Sequence, residues 1–128
     1  MQTMETLKPI INWFEIPVLD MARAVRFYEA TLACSLRLED MGAMRLAVFP
    51  YAQPATGGAL CAGPGFKPGL DGIVIYLDAG PDLAATLARA EAAGAEVLLP
   101  SMQISPEIGS IAWIKDSEGN RVGLHAHP

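Results

Sequence analysis

The stretch Ile111-Ala112-Trp113-Ile114-Lys115-Asp116-Ser117-Glu118-Gly119-Asn120-Arg121-Val122-Gly123-Leu124-His125 sets two runs of branched and aromatic residues on either side of a polar cluster. That is the pattern of a β-hairpin whose turn needs one residue at positive φ, and Gly119 is its natural occupant. Along the exit strand, residues of alternate parity point to opposite faces. Gly123 and His125 therefore share one face, and Val122 and Leu124 the other.

Working outward, the segment Ala95 to Leu99 reads as a strand, and Pro100 to Glu107 as a loop, long enough over Ser101 to Ile108 to lid a cavity. Before it, Asp78-Ala79-Gly80-Pro81-Asp82 opens a helix with Pro81 at its first turn, Leu83, Leu87 and Ala90 stripe that helix, and Gly94 stops it. Gly72 to Leu77 is a strand. The same order occurs earlier in the chain. Ile10 to Val18 reads as a strand ending near Pro17, and Asp20 caps a helix from Met21 to about Ala33. Met21, Ala24, Val25, Tyr28 and Leu32 recur at helical spacing. Three candidate strands follow, Ser35 to Glu39, Met44 to Phe49 and Gly58 to Ala62. The run Gly63-Pro64-Gly65-Phe66-Lys67-Pro68-Gly69 is dense in chain breakers and marks an internal boundary. The sequence thus predicts a single α+β domain over residues 1–128, made of two tandem β-α-β-β-β modules at about 8–63 and 72–127. A linker at about 63–71 joins them.

The chain of 128 residues is long enough for one domain with a core. It is 52 % apolar and 18 % charged, with a mean hydropathy of +0.29, which predicts that a second copy covers part of the surface as a homodimer. A net charge of −5 without a Lys/Arg cluster argues against nucleic acid. Residues 1–9 lack an apolar run of signal-peptide length, and no stretch is long enough to span a membrane, so a cytoplasmic protein is expected. Cys34 and Cys61 are too few for a disulfide framework and read as reduced thiols.

This element order, with Val18 to Tyr28 in the first half and Ile114 to Leu124 in the second, resembles the vicinal oxygen chelate superfamily. Its members include glyoxalase I, extradiol dioxygenases, methylmalonyl-CoA epimerase and the fosfomycin and bleomycin resistance proteins. Gly58-Ala59-Leu60, Lys67-Pro68 and Gly72 to Leu77 are similar to a bacterial branch described as related to lactoylglutathione lyase. The resemblance implies curved mixed sheets around a concave cavity and, in metal-dependent members, a divalent ion held there by His and Glu from the first and last strands of each half. Carried over, those positions are Trp13, Ala59, Gly72 and Gly123. None has a side chain that donates to a metal, so the expectation is no metal and no cofactor. The expected function is metal-independent binding of a small molecule, for sequestration or sensing. The alternative is a lyase, isomerase or dioxygenase that uses a relocated metal or a Glu15/His125 acid–base pair. In the first reading Trp13, Cys61, Val74, Tyr76, Gly123 and Gln103 bind the ligand. Glu15 either serves that cavity or pairs with Arg45 or Arg121. His125, His127 and Glu15 are weighed as a rebuilt two-histidine, one-carboxylate site, and Trp113 as core packing.

Overall fold

The computed structural model describes residues 9–128, so the N-terminal reading falls largely on residues outside those described. Module one consists of β1 (Trp13–Pro17), α1 (Met21–Leu32), β2 (Arg37–Met41), β3 (Met44–Val48) and β4 (Gly57–Ala62). Module two consists of β5 (Tyr76–Asp78), α2 (Leu83–Ala92), β6 (Glu96–Ser105), β7 (Gly109–Lys115) and β8 (Arg121–Ala126). Each module forms a four-stranded sheet with the same strand order, β1-β4-β3-β2 and β5-β8-β7-β6. In each, the first strand pairs parallel to the last. This is the α+β architecture of two β-α-β-β-β units.

Both helices begin on an aspartate whose carboxylate takes up a free backbone donor: Asp20 accepts from Arg23 N, and Asp82 from Ala85 N, each at 3.1 Å. Pro81 therefore precedes the cap of α2 and does not sit in its first turn. The buried stripe of α1 is Met21, Ala24, Phe27, Tyr28 and Thr31, while Val25 and Leu32 are only partly buried. Gly119 turns the last hairpin at φ 95°.

One continuous core spans both modules, from Ile16, Leu60, Phe27 and Tyr28 to Leu83, Ile114, Val122 and Leu124. The β7–β8 turn fastens the modules to each other. Its Glu118 carboxylate accepts from Leu19 N and Asp20 N at 2.8 Å each, and from Arg23 Nε at 2.8 Å and Nη2 at 3.0 Å. The Tyr28 hydroxyl donates to Asp116 at 2.6 Å, and Asn120 Nδ2 donates to Pro17 O at 2.8 Å. Donors left free at the start of α1, and a carbonyl acceptor at the end of β1, are thus satisfied by module two. That bond set fixes where β1 lies relative to β8.

Two element readings are corrected. Gly72 to Leu77 is not a strand throughout: pairing starts at Tyr76, and Gly72 instead turns the chain at φ 92°, its carbonyl accepting from Arg121 Nη2 at 2.6 Å. The expected loop from Pro100 is instead strand, since β6 runs on to Ser105. It can do so because β6 is an outer strand of irregular register, where a proline without N–H forfeits no ladder bond.

Candidate functional site

The strand order puts β1 and β5 at outer positions of their sheets, and a cavity of about 770 Å³ lies between them. β1 contributes Trp13 and Glu15, and the approach to β5 contributes Ile73, Val74, Ile75 and Tyr76. Phe49, Cys34 and Asp78 complete much of the remaining wall. Phe14, of the same parity as Ile16, also reaches the cavity edge. Ile16 turns inward to the core, whereas Trp13 and Glu15 take the opposite, exposed face.

Polar atoms in this wall are held in place. Trp13 Nε1 donates to Glu15 Oε2 at 3.3 Å, and the indole meets the Tyr51 ring edge-on at a centroid distance of 6.1 Å. Trp113 Nε1 donates to the Tyr76 hydroxyl oxygen at 2.7 Å, which leaves the phenol proton available to a ligand. Trp113, half-buried, thus steadies the wall from behind and is not simply core. Arg121 lies over the Trp113 ring, 5.0 Å from its centroid.

The internal symmetry can be read from two bonds. Val18 N donates to Cys61 O at 2.9 Å in module one, and Ala79 N donates to His125 O at 2.8 Å in module two. Cys61 and His125 are therefore counterparts, as are Ala59 and Gly123. Counting back five residues from Val18 and from Ala79 makes Val74, not Gly72, the counterpart of Trp13. The four carried-over metal positions become Trp13, Val74, Ala59 and Gly123.

Those four positions do not fit a metal ion. Indole, isopropyl, methyl and hydrogen supply no oxygen, imidazole or thiolate donor. The last-strand pair is also covered. Phe66, from the segment after β4, packs onto Val48, Ala59 and Cys61. At Gly123, a Cβ atom would come within 2.4 Å of the Tyr76 ring, so the phenol occupies the space a ligating side chain would need. Among the described residues, no group of three or more His, Cys, Asp or Glu gathers as a metal-binding cluster. His125, His127 and Glu15 do not come together as a rebuilt site.

The remaining candidates separate in space. Trp13, Glu15, Val74 and Tyr76 line the cavity, whereas Cys61, Gly123, Gln103 and His125 do not. Cys61 is fully buried, and its thiol is pushed up to about 12, first by burial and then by the neighbouring Glu15 carboxylate. It is packing, not a nucleophile. Gln103 sits exposed on β6. His125 Nε2 lies 2.7 Å from Ile108 O, and because a carbonyl only accepts, that nitrogen carries the proton. The His125 ring also meets His127 edge-on at 4.6 Å. Neither Arg45 nor Arg121 forms an ion pair with Glu15, since the ion pairs among the described residues are Arg23 with Glu118 and Arg37 with Glu39. The sequence reading missed Asp78, Phe49 and Cys34. Of these, Asp78 was the most accessible to it, because it shares parity with Tyr76.

The sequence matches, over residues 10–124, the family described as Glyoxalase/Bleomycin resistance protein/Dioxygenase superfamily. No curated protein matches it. Among solved structures, TnmS3, an antibiotic binding protein from Streptomyces sp. CB03234, is 26 % identical with a TM-score of 0.67. That match covers 94 % of this chain and 97 % of TnmS3. A glyoxalase/bleomycin resistance protein from the same Streptomyces strain is 27 % identical with a TM-score of 0.66, over 88 % of this chain and 96 % of that one. A glyoxylase/bleomycin resistance protein/dioxygenase domain from Frankia sp. EAN1pec has a TM-score of 0.72 at 16 % identity, over 96 % and 94 % of the two chains, and supports the fold alone. With its sheets, its repeat and nearly its whole length accounted for, the chain belongs to the glyoxalase/bleomycin resistance protein/dioxygenase superfamily.

Proposed function

We propose that this protein binds a small organic molecule in the cavity between β1 and β5 without the help of a metal ion, as a sequestering or sensing protein. The observation that carries this reading is the cavity itself. Its volume of about 770 Å³ falls within the range typical of small-molecule sites, roughly 300–1,000 Å³. Its wall is mainly aromatic and aliphatic, with a few fixed polar atoms from Glu15, Tyr76 and Asp78. The similarity to an antibiotic binding protein over nearly the full length of both chains supports the same reading. An acid–base enzyme using Glu15 and His125 is less well supported, because Glu15 alone of that pair lines the cavity.

The reading includes a second copy of the chain as cover for apolar side chains around the cavity mouth. Ile73 is 91 % exposed, and Ile11, Trp13 and Tyr76 are exposed beside it. The expected result is a particle of twice the 13.6 kDa chain mass in light scattering after gel filtration, and a monomer would remove this part of the proposal.

The test of binding is a thermal-shift screen with planar, drug-sized compounds. A ligand present at a hundred times its Kd stabilises the folded state by about 2.7 kcal/mol, which shows as a rise of several degrees in Tm. Trp13→Ala removes the largest ring from the wall and is expected to cut that rise by more than half. A screen without stabilising compounds, or hits whose shift is the same in Trp13→Ala, would contradict the proposal.

A further inference from the structure

The charge lining the cavity is one-sided. Glu15 and Asp78 face it, and no lysine, arginine or histidine is among its lining residues. Neither carboxylate forms an ion pair among the described residues. Glu15 accepts one long bond from the Trp13 indole, and Asp78 accepts one from Gly80 N at 2.8 Å. A carboxylate has about four acceptor sites, so both retain capacity for a further donor. Lys67 and Arg121 line the smaller pocket that Glu15 also borders, but neither forms an ion pair with it; Arg121 Nη2 donates to the Gly72 carbonyl and its guanidinium lies over the Trp113 ring, with Nε left without a partner. The aromatic walls act in the same direction. Trp13 and Tyr76 are 40 % and 41 % exposed, and an aromatic face attracts a cation through its quadrupole. An anionic guest would enter a partly water-excluded space against two like charges, whereas a cationic guest would meet two carboxylates and the ring faces.

Resting on the binding function proposed above, we infer that the cavity selects a flat organic cation, an aromatic ring system bearing a protonated amine or amidine. Glu15 and Asp78 recognise the charge, and Trp13 and Tyr76 sandwich or edge the ring system.

One heterocycle in three charge states tests this. Binding of 9-aminoacridine, acridine and acridine-9-carboxylate to the full-length wild-type protein is measured by fluorescence titration at pH 8. The aminoacridinium ion is expected to bind roughly tenfold more tightly than neutral acridine, the effect of one favourable cation contact, with the carboxylate weakest. The double variant Glu15→Gln/Asp78→Asn should bring the cation's affinity down to that of acridine. Raising the salt concentration should narrow the gap in the wild type. Equal affinity for the three compounds, or tighter binding of the neutral or anionic one, would overturn the charge selectivity while leaving the cavity a binding site. Failure of all three to bind would overturn the binding function of the cavity together with the inference built on it.

Discussion

Glu118→Ala should lower the melting temperature by about 10 °C and turn a rigid joint between the modules into a loose one. The carboxylate is buried and accepts from Leu19 N, Asp20 N, Arg23 and Ser117 Oγ. An alanine leaves the Leu19 and Asp20 N–H groups without acceptors at the start of α1, and it leaves Arg23 without its partner. A lost partner costs roughly 1–3 kcal/mol when the donor is fully buried and less for the exposed Leu19 and Asp20, so a loss of about 3 kcal/mol in all is expected. In a domain of this size, each kilocalorie moves Tm by about 3–5 °C.

The same group makes stability depend on acid. Burial alone would raise the carboxyl of Glu118, but the Arg23 guanidinium, the Asp20 and Leu19 amides and the Ser117 hydroxyl outweigh it and hold the group at about 2, against its ordinary 4.5. A carboxyl depressed in the folded state contributes stability that is fully present above its unfolded value and is lost as pH falls through its folded one. The window therefore runs from about pH 4.5 down to about pH 2, and the gap corresponds to about 3 kcal/mol. Thermal melts followed by circular dichroism across this window should show the wild type losing Tm more steeply than Glu118→Gln. Glu118→Ala melting within about 2 °C of the wild type at pH 7 would show that the joint is held elsewhere.

Much of the architecture could be read from short-range features. Helical spacing from Met21 to Tyr28 after Asp20, and a glycine in the turn between Lys115 and Arg121, depend on near neighbours and were reproduced as α1 and the last hairpin. Trp13 and Tyr76, which line the cavity, were legible as aromatic side chains with one polar atom, Trp13 at a position that the resemblance supplies, and strand parity then put Glu15 on the face of Trp13. What escaped the sequence depends on contacts between distant residues. Phe66 sits in a run of chain breakers, and nothing local indicates that it folds back over Ala59 and Cys61. The late start of β5 goes with a turn at Gly72 whose carbonyl accepts from Arg121 Nη2, a contact from across the module. The shift of the symmetry position from Gly72 to Val74 needs the paired bonds at Val18 and Ala79, because unequal loop lengths in the two halves break any count along the chain. Glu118 read as an ordinary turn acid, and its role emerged only once module one lay beneath it.

Binding without a metal follows from what occupies the places where metal-dependent relatives would hold their ion. Trp13 and Val74 present carbon-rich surfaces to the cavity, Ala59 lies under Phe66, and Gly123 lies under Tyr76. A divalent ion bound here would have only Glu15, Asp78 and the Cys34 thiol to recruit, which do not gather as a cluster, and one or two exposed carboxylates hold such ions too weakly to survive purification. Elemental analysis of tag-free protein, purified without chelator and dialysed into metal-free buffer, is the most direct test. The expected result is far less than one divalent ion per chain, with Tm unchanged on adding chelator. A near-stoichiometric ion that resists dialysis, and whose removal lowers Tm, would contradict the account.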